Sequence, residues 1–562
     1  MAAMDAKPTL LQRRICIGAF FCIAAYMVIG LRLAGVTLFA APTEPARSNS
    51  GMQARADLVD RNGELLARDV RVYDLYANPA NFAVKHRVSE HSTPAQQAAA
   101  ATERSENATR VVKGLSAATG MEEDKLAHML AKRTNYVLIA RQMPADVRSQ
   151  IERKKLPGIE FIAAGKRNYP DGRMSAQVLG VTNSDGKGLS GLERGLEPRL
   201  VNAVPGTRIE TSLDMRVQFV LAHEAEATKE EFSAKSAGAL VMNVNTGEVL
   251  GMVSLPDFDP NDRRDMDGNA ARNIMVQDTY ELGSVFKVLS FALGIEDHTF
   301  QLDEVFSIDR NFSVSGHIIH EAERMPPTLA ARDVLALSSN IGASQIALRS
   351  GGVRQKAFLE KFGLLTPLRT ELPESARPQY PRNWGPTETA TIGFGHGISV
   401  SPLAYAAAAA AVVNGGRKVT PTFLKHPQDA RGEQIISPET SATMRGLLRY
   451  VVTNGSGRKA NIEGYEVGGK TGSAEKLDAS GHYRAGLLRT SFVGVFPVSN
   501  PRYVVFVLVD EPHGTKAAPR ALAGNTAAPL AGRIIARIAP FLGVPMKLPT
   551  ATAASSRSSD AY

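Results

Sequence analysis

The chain has 562 residues, 44% apolar and 22% charged, with two cysteines and a formal net charge of +9. This is ordinary globular usage over enough length for several units of roughly 150 residues each. It excludes a disordered chain, a collagen-like fibre, a many-helix transporter and a disulfide-built scaffold. Both cysteines, Cys16 and Cys22, lie in one apolar stretch, so no cysteine metal site is possible beyond it. The mild basic excess contains no Arg/Lys run interleaved with aromatics, which argues against nucleic acid as a partner.

Residues Ile15–Leu31 carry no charge, and the apolar pattern resumes after Arg32, from Leu33 to Ala41. As a helix, residues 15–41 would be about 40 Å long, enough to cross a bilayer with tilt. Arg32 can snorkel to the headgroups. Lys7, Arg13 and Arg14 precede the span, with Asp5 the sole acid. The positive-inside rule then keeps 1–14 in the cytoplasm and sends the rest outside. A cleaved signal peptide ending near Ala40-Ala41 is the competing reading; the apolar stretch is longer than a signal core requires. The expectation is one membrane anchor at 15–41.

Pro42–Ser50 is a short polar linker. Asp57–Tyr76 alternates around Asn62-Gly63, which predicts a hairpin. Residues 94–155 are rich in Ala, Glu, Lys and Arg and read as helices, and 158–212 as Gly-rich with short strands. Residues 45–212 thus form one α+β region. In the next region, 213–545, Gly238–Ser254 reads as two strands about Asn245-Thr246-Gly247. Gly464–Glu475, Thr490–Phe496 and Arg502–Val509 are three more strand candidates. The stretch 284–450 is mostly helical in pattern, including Leu403–Val413. The economical arrangement is one antiparallel sheet built from both ends of this region, with a helical subdomain inserted. Residues 546–562 are Ser/Ala-rich and read as a disordered tail.

Within 280–289, YELGSVFKVL, Gly283 precedes an apolar helical pattern. The pattern predicts Ser284 at a helix N-terminus, with Lys287 one turn on and on the same face. Such a pair can act as nucleophile and base, beside backbone N–H groups able to hold an oxyanion. Alone, a helix-capping serine and a solvated lysine would be the commoner reading. Ser338-Ser339-Asn340 follows 54 residues later between two helical patterns, and Lys470-Thr471-Gly472 another 132 residues on, on a predicted strand. A Ser-x-x-Lys pair, a Ser-Asp-Asn element and Lys-Thr-Gly form the set shared by class A β-lactamases and penicillin-binding proteins.

The chain resembles the class B penicillin-binding proteins, most closely the division-specific peptidoglycan D,D-transpeptidases, over nearly its whole length. Arg55–Ala67 (RADLVDRNGELLA) is similar to the family's RGxIxDRNGxxLA element, with Ala56 where glycine is usual. Arg167–Pro170 (RNYP) and Gly188–Glu193 (GLSGLE) resemble motifs that tie the pedestal to the catalytic domain. Gly393–Pro402 (GFGHGISVSP) and Thr490–Pro497 (TSFVGVFP) match in order. Leu282, Val285 and Ser473 depart from the usual proline, threonine and threonine without removing a reacting atom.

The resemblance implies an α+β fold: a single N-terminal transmembrane helix, an elongated α+β pedestal, and a β-lactamase-like transpeptidase domain with a five-stranded antiparallel sheet and a helical subdomain. It implies that Ser284 attacks the penultimate D-Ala carbonyl of a peptidoglycan stem peptide, and that an amine from a neighbouring stem captures the acyl-enzyme. Lys287 would be the base, its pKa lowered by burial and by Lys470. Ser338 would relay a proton, and Asn340 would hold the substrate amide. Thr471 and Ser473, on either side of Gly472, would bind the terminal carboxylate. The N–H groups of Ser284 and Ser473 would form the oxyanion hole. No cofactor or metal is implied. β-Lactams would be inhibitors, and a separate glycosyltransferase and other division proteins would be partners, because the pedestal leaves little room for a polymerising domain. The catalytic part would lie in the periplasm, anchored in the inner membrane.

Other residues read less sharply. His317, His320 and Glu321 (HIIHE) superficially resemble a metal cluster but lack the H-E-x-x-H pattern, so a solvated or core-edge reading is favoured. His396, between glycines, is a candidate for support beside the site, and the lone tryptophan, Trp384, for packing. A β-lactamase or antibiotic sensor is disfavoured because no E-x-x-L-N element follows Asn340. A non-catalytic scaffold would not need Ser284, Lys287 and Lys470 together. The elongation-specific homologue is the runner-up.

Overall fold

The computed structural model describes residues 54–83, 85, 92–131, 136–262, 264, 266, 268–426, 428–477 and 483–547, with Ala24, Tyr26 and Met27. Those three are helical. The rest of the expected span 15–41, the linker 42–50 and the tail from 548 lie outside the described residues. Among the described residues, no helix is long and apolar enough to cross a membrane.

Asp60 closes the first hairpin. Its carboxylate accepts from the N–H groups of Asn62 (2.7 Å) and Glu64 (2.8 Å), turning the chain between β1 (Asp57–Val59) and β2 (Leu65–Ala77). The helix α1 (Pro94–Thr119) starts at a reciprocal Thr93–Gln96 capping box and stops at Gly120, which is left-handed. The helix α2 (Glu123–Leu130) follows. Next comes β3 (Val137–Met143), a strand inside the stretch expected to be wholly helical. Its alternating Val137, Ile139 and Met143 are buried, and it pairs antiparallel with β2. The Ala- and charge-rich flanks, α1 and α3 (Ala145–Arg153), masked that short period-2 pattern. β4 (Ile159–Asn168) pairs with β2 from Arg68–Asn168 to Ala77–Ile159, and β5 (Arg208–Glu210) runs parallel to β1.

The three family-like segments of this part converge on one buried carboxylate. Glu193 has no exposed surface and receives Arg55 (Nη2–Oε2 2.8 Å) and Arg167 (Nε–Oε1 2.6 Å). Arg167 also pairs with Asp69 (3.2 Å), and Arg55 with Glu197 (2.8 Å). Beside this cluster, the side chain of Asn261 brackets the backbone of Tyr169, accepting from its N–H (3.0 Å) and donating to its carbonyl (2.8 Å). The RNYP segment is thereby bonded to the chain that follows the first pair of strands in the next region.

That region opens with α4 (Met215–Glu231) and the hairpin β6 (Ser236–Asn243) and β7 (Val249–Leu255). Helices α5 (Lys287–Glu296), α6 (Ala331–Leu337), α7 (Asn340–Ser350), α8 (Pro402–Val413) and α9 (Pro438–Asn454) follow. The strands β8 (Gly468–Leu477), β9 (Tyr483–Phe496) and β10 (Tyr503–Asp510) then complete the sheet, and α10 (Ala527–Ile538) closes the region. The sheet order is β8-β9-β10-β6-β7, all antiparallel, as expected from five strands drawn from both ends.

Both faces of this sheet are covered, so β10 reads as a continuous apolar run rather than an alternation. Val504, Phe506 and Leu508 face the core of the helical subdomain; Val505, Val507 and Val509 pack with α4 and α10. Helix α8 is buried on every side, which its run of six alanines permits by keeping the helix thin. β8 forms the edge of the sheet, and the turn entering α5 packs against it.

Candidate active site

Gly283–Phe286 forms a single 3-10 turn that runs into α5 at Lys287. Ser284 therefore stands at a helix N-terminus, as the pattern predicts, in a 3-10 turn that precedes the α-helix proper. Two contacts fix this turn. The buried Tyr405 hydroxyl on α8 donates to the Val285 carbonyl (2.5 Å), and its ring lies 5.5 Å from that of Phe286. Gly395 lies against the Gly283 backbone: a Cβ there would be 2.1 Å from the Gly283 carbonyl oxygen, and its φ is +88°. The GFGHG segment thus serves as a backbone-to-backbone seat for the serine turn. Gly472 plays the same part from β8, where a Cβ would meet the Leu282 carbonyl at 2.5 Å. The serine turn and the Lys-Thr-Gly strand are in backbone contact.

The two lysines meet over Ser338. Lys287 Nζ lies 2.8 Å from Ser284 Oγ, 2.7 Å from the Ser338 carbonyl, 3.2 Å from Ser338 Oγ and 2.8 Å from Asn340 Oδ1. Lys470 Nζ lies 2.9 Å from Ser338 Oγ and donates to the Thr471 carbonyl (2.8 Å). Both lysines have no exposed surface. Burial pushes the Lys287 ammonium down to about 7, opposed by the Glu321 carboxylate. Burial, reinforced by the charge of Lys287, pushes Lys470 well below the usual lysine range. Of the two causes expected for Lys287, burial and the charge of Lys470, burial is the one that acts on it, and the repulsion between the two is expressed on Lys470.

The bonding pattern of Lys287 bears on its protonation. The Ser338 carbonyl and Asn340 Oδ1 can only accept, so they take two N–H bonds. Asn340 is oriented by its own amide donating to the His320 carbonyl (2.9 Å), which leaves Oδ1 toward Lys287. A neutral amine has its lone pair left for a hydroxyl proton, and of its two hydroxyl neighbours Ser284 is the nearer, at 2.8 Å against 3.2 Å for Ser338. The arrangement can take a proton from Ser284 Oγ and pass it through Ser338 Oγ toward Lys470.

Ser338 reaches this position at a backbone cost. It is left-handed (φ +71°, ψ +38°), linking α6 to α7, while Ser339 caps α7 by accepting from the Gly342 N–H (3.0 Å). Thr471 Oγ1 is 2.6 Å from Ser456 Oγ, and Ser473 Oγ accepts from the Ala523 N–H (3.1 Å), leaving its own proton to donate. All the residues singled out from the sequence, Ser284, Lys287, Ser338, Asn340, Lys470, Thr471, Gly472 and Ser473, come together around the serine turn.

Sequence reasoning missed several neighbours. Ser456 lies in the turn after α9, and its N–H donates to the Ala336 carbonyl (3.0 Å); Asn454-Gly455-Ser456-Gly457 signals only a turn. Glu281 accepts from the Gly397 N–H (2.7 Å) and from Tyr483 (2.9 Å). His396, which the sequence does offer as support beside the site, lies between Phe394 and Tyr483, with ring centroids at 5.2 and 5.5 Å, and burial lowers its pKa. Glu321 reads from the sequence as solvated or core-edge. It instead turns its carboxylate onto the Ser339–Ile341 backbone. His317 and His320 are exposed. Trp384 packs near Tyr380 (6.3 Å) and donates to Gln355 (2.8 Å).

Comparison with known proteins agrees with this geometry. Residues 237–536 match the penicillin binding protein transpeptidase domain, and 52–212 match the penicillin-binding protein dimerisation domain. The chain is 36% identical over 516 residues to a probable peptidoglycan D,D-transpeptidase FtsI of Caulobacter vibrioides, covering 90% of this chain and 84% of that one. It is 30% identical over 535 residues to stage V sporulation protein D of Bacillus subtilis, covering 87% and 78%. Among solved structures, penicillin binding protein 3 of Mycobacterium tuberculosis complexed with aztreonam matches with a TM-score of 0.66 and 25% identity, over 88% of this chain and 98% of that one.

Proposed function

The chain belongs to the class B penicillin-binding proteins, peptidoglycan D,D-transpeptidases, and from that premise we propose how its residues perform the reaction and where in the cell they do so. Ser284 Oγ attacks the penultimate D-Ala carbonyl of a stem peptide as its proton moves to Lys287 Nζ. The carbon–nitrogen bond to the terminal D-Ala breaks, and the leaving amine takes a proton relayed through Ser338. An amine of a second stem then attacks the ester, Ser284 regains its proton, and the cross-link is formed. The N–H groups of Ser284 and Ser473 hold the oxyanion. Asn340 holds the substrate amide, and Thr471 and Ser473 beside Lys470 take the terminal carboxylate.

The observation that carries this reading is the contact of buried Lys287 with Ser284 Oγ at 2.8 Å, its two other strong bonds going to atoms that can only accept. β-Lactams imitate the stem's end and acylate the same serine; the related Mycobacterium tuberculosis structure carries aztreonam. Residues 15–41 anchor the protein in the inner membrane once, with the catalytic part in the periplasm, on the strength of the apolar span and the charges before it. The FtsI-type relative supports septal wall synthesis during division, beside a separate glycosyltransferase that supplies glycan.

The test is to label membranes with a fluorescent penicillin and to map the adduct by mass spectrometry. Label is expected on Ser284 and is expected to persist for minutes or longer. Label on another serine would overturn the assignment, and release within seconds with steady β-lactam turnover would make the protein a hydrolase. A fluorescent fusion should gather at the septum, and depletion should give filaments; a uniform lateral-wall pattern with rounded cells would indicate elongation instead.

A further inference from the structure

Ser338 is a non-glycine residue held at φ +71°, a conformation that side chains disfavour. Something must hold it there, because both lysines read the position of its hydroxyl and carbonyl. The turn that carries it is grasped from outside its own helix pair. Glu321 comes from the loop after the short strand His317–Ile318. One carboxylate oxygen accepts from the Ser339 hydroxyl and the Ile341 N–H (3.1 Å); the other accepts from the Asn340 N–H (2.8 Å). The residue before it supplies the carbonyl that orients the Asn340 amide (2.9 Å). His320 and Glu321 therefore grip Asn340 by both main chain and side chain, and the grip ends on Lys287 through Asn340 Oδ1.

We propose that Glu321 is a positioning residue of the acylation machinery, holding the Ser338–Asn340 turn in the geometry that aims both residues at Lys287. This rests on the transpeptidase reading above and adds a residue to it. An anionic carboxylate suits the place, since it lies at the N-terminal end of α7 and takes three donors there. It is also the negative charge that opposes the lowering of Lys287. The other charged or titratable groups around that ammonium are Lys470 on β8 and His396 on the 393–397 loop, itself next to Glu281. Among these, Glu321 alone joins the electrostatics of Lys287 to the backbone that carries Ser338 and Asn340.

The experiment measures the rate of Ser284 acylation by a fluorescent penicillin as a function of pH in the full-length, membrane-held protein and in Glu321→Gln. That substitution turns an amide donor toward an N–H group and removes the charge. At pH 8, where Lys287 is largely neutral in both, acylation is expected to fall about ten- to a hundredfold, the effect of a misplaced reacting group. The rising limb of the profile is expected to move to lower pH, because the carboxylate that favoured the protonated amine is gone. Glu321→Asp should return that limb toward the parent while restoring the rate only in part. Ser339→Ala removes one of the three donors and keeps the charge, so the rate should fall less and the limb should stay in place.

Glu321→Gln protein with the parent's rate and the parent's pH profile would overturn the proposal. So would a lower rate that follows only a smaller folded fraction, with an unmoved limb, since helix capping alone would do that. Absence of label on Ser284 in the parent would sink the transpeptidase reading itself and this inference with it.

Discussion

The role proposed for Lys287 rests on what it touches. Its amine meets two hydroxyls, Ser284 the nearer, and two atoms that can only accept, inside a site without water-exposed lysine surface. Lys287→Arg is expected to reduce acylation of Ser284 by at least about 10², because a guanidinium does not give up its proton to become a base. Lys470→Arg should lose less, since it keeps positive charge beside the position of the substrate carboxylate. The comparison is made by acylation rates with labelled penicillin; equal rates for both variants and the parent would remove the distinct roles. At this scale the sequence was most informative where residues recur as a set. Ser284, Lys287, Ser338, Asn340 and Lys470 were recognisable because three short patterns stand in a fixed order. Glu321 and Ser456 were not, because each is one polar residue in a loop, and only the fold brings it to the site.

The serine turn is an element held by its neighbours. Tyr405 bonds its carbonyl, β8 packs on one side and Gly395 on the other. Gly395→Ala would drive a Cβ to 2.1 Å from the Gly283 oxygen at a left-handed φ, so the turn must move. Acylation is expected to drop about a hundredfold or more, as displaced reacting atoms do. Gly415→Ala is the control: its φ is +95° with nothing within 4 Å, so it carries backbone strain of about 1–2 kcal/mol without touching the site. Gly395→Ala acylating as fast as Gly415→Ala would refute the seat. The sheet strands were legible as apolar runs bounded by turn residues, and the two helices around Ser338 as 3.6-residue patterns. β3 was not, because seven residues of strand sit between Ala- and charge-rich helices that dominate any longer window. The 3-10 form of the serine turn was also hidden, since it is set by Gly395 and Gly472 approaching from far along the chain.

On the scale of the whole molecule, the convergence of Arg55, Arg167 and Glu193 joins three segments more than a hundred residues apart at their extremes. Two guanidinium groups share a carboxylate that has no exposed surface. Glu193→Gln leaves both cations short of a counter-charge, and removing one member of such a buried set costs about 3–5 kcal/mol. A marked drop in Tm, with penicillin still bound at low temperature, is the expected result; an unchanged Tm would show that the cluster contributes nothing net. The resemblance takes Arg167–Pro170 and Gly188–Glu193 as ties between the pedestal and the catalytic domain; the structure shows that they also share one carboxylate with Arg55.

The central claim is that a buried, largely neutral Lys287 draws the proton from Ser284, and the pH dependence of Ser284 acylation tests it most directly. The folded protein holds Lys287 at about 7, so the amine is protonated and inactive below that value and becomes a base above it. The acylation rate should therefore climb roughly tenfold per unit as pH rises from 5 toward 7 and level off near pH 8. Lys287→Arg should show no such climb. A parent rate that is flat from pH 5 to 9, or one that falls as pH rises, would contradict the account.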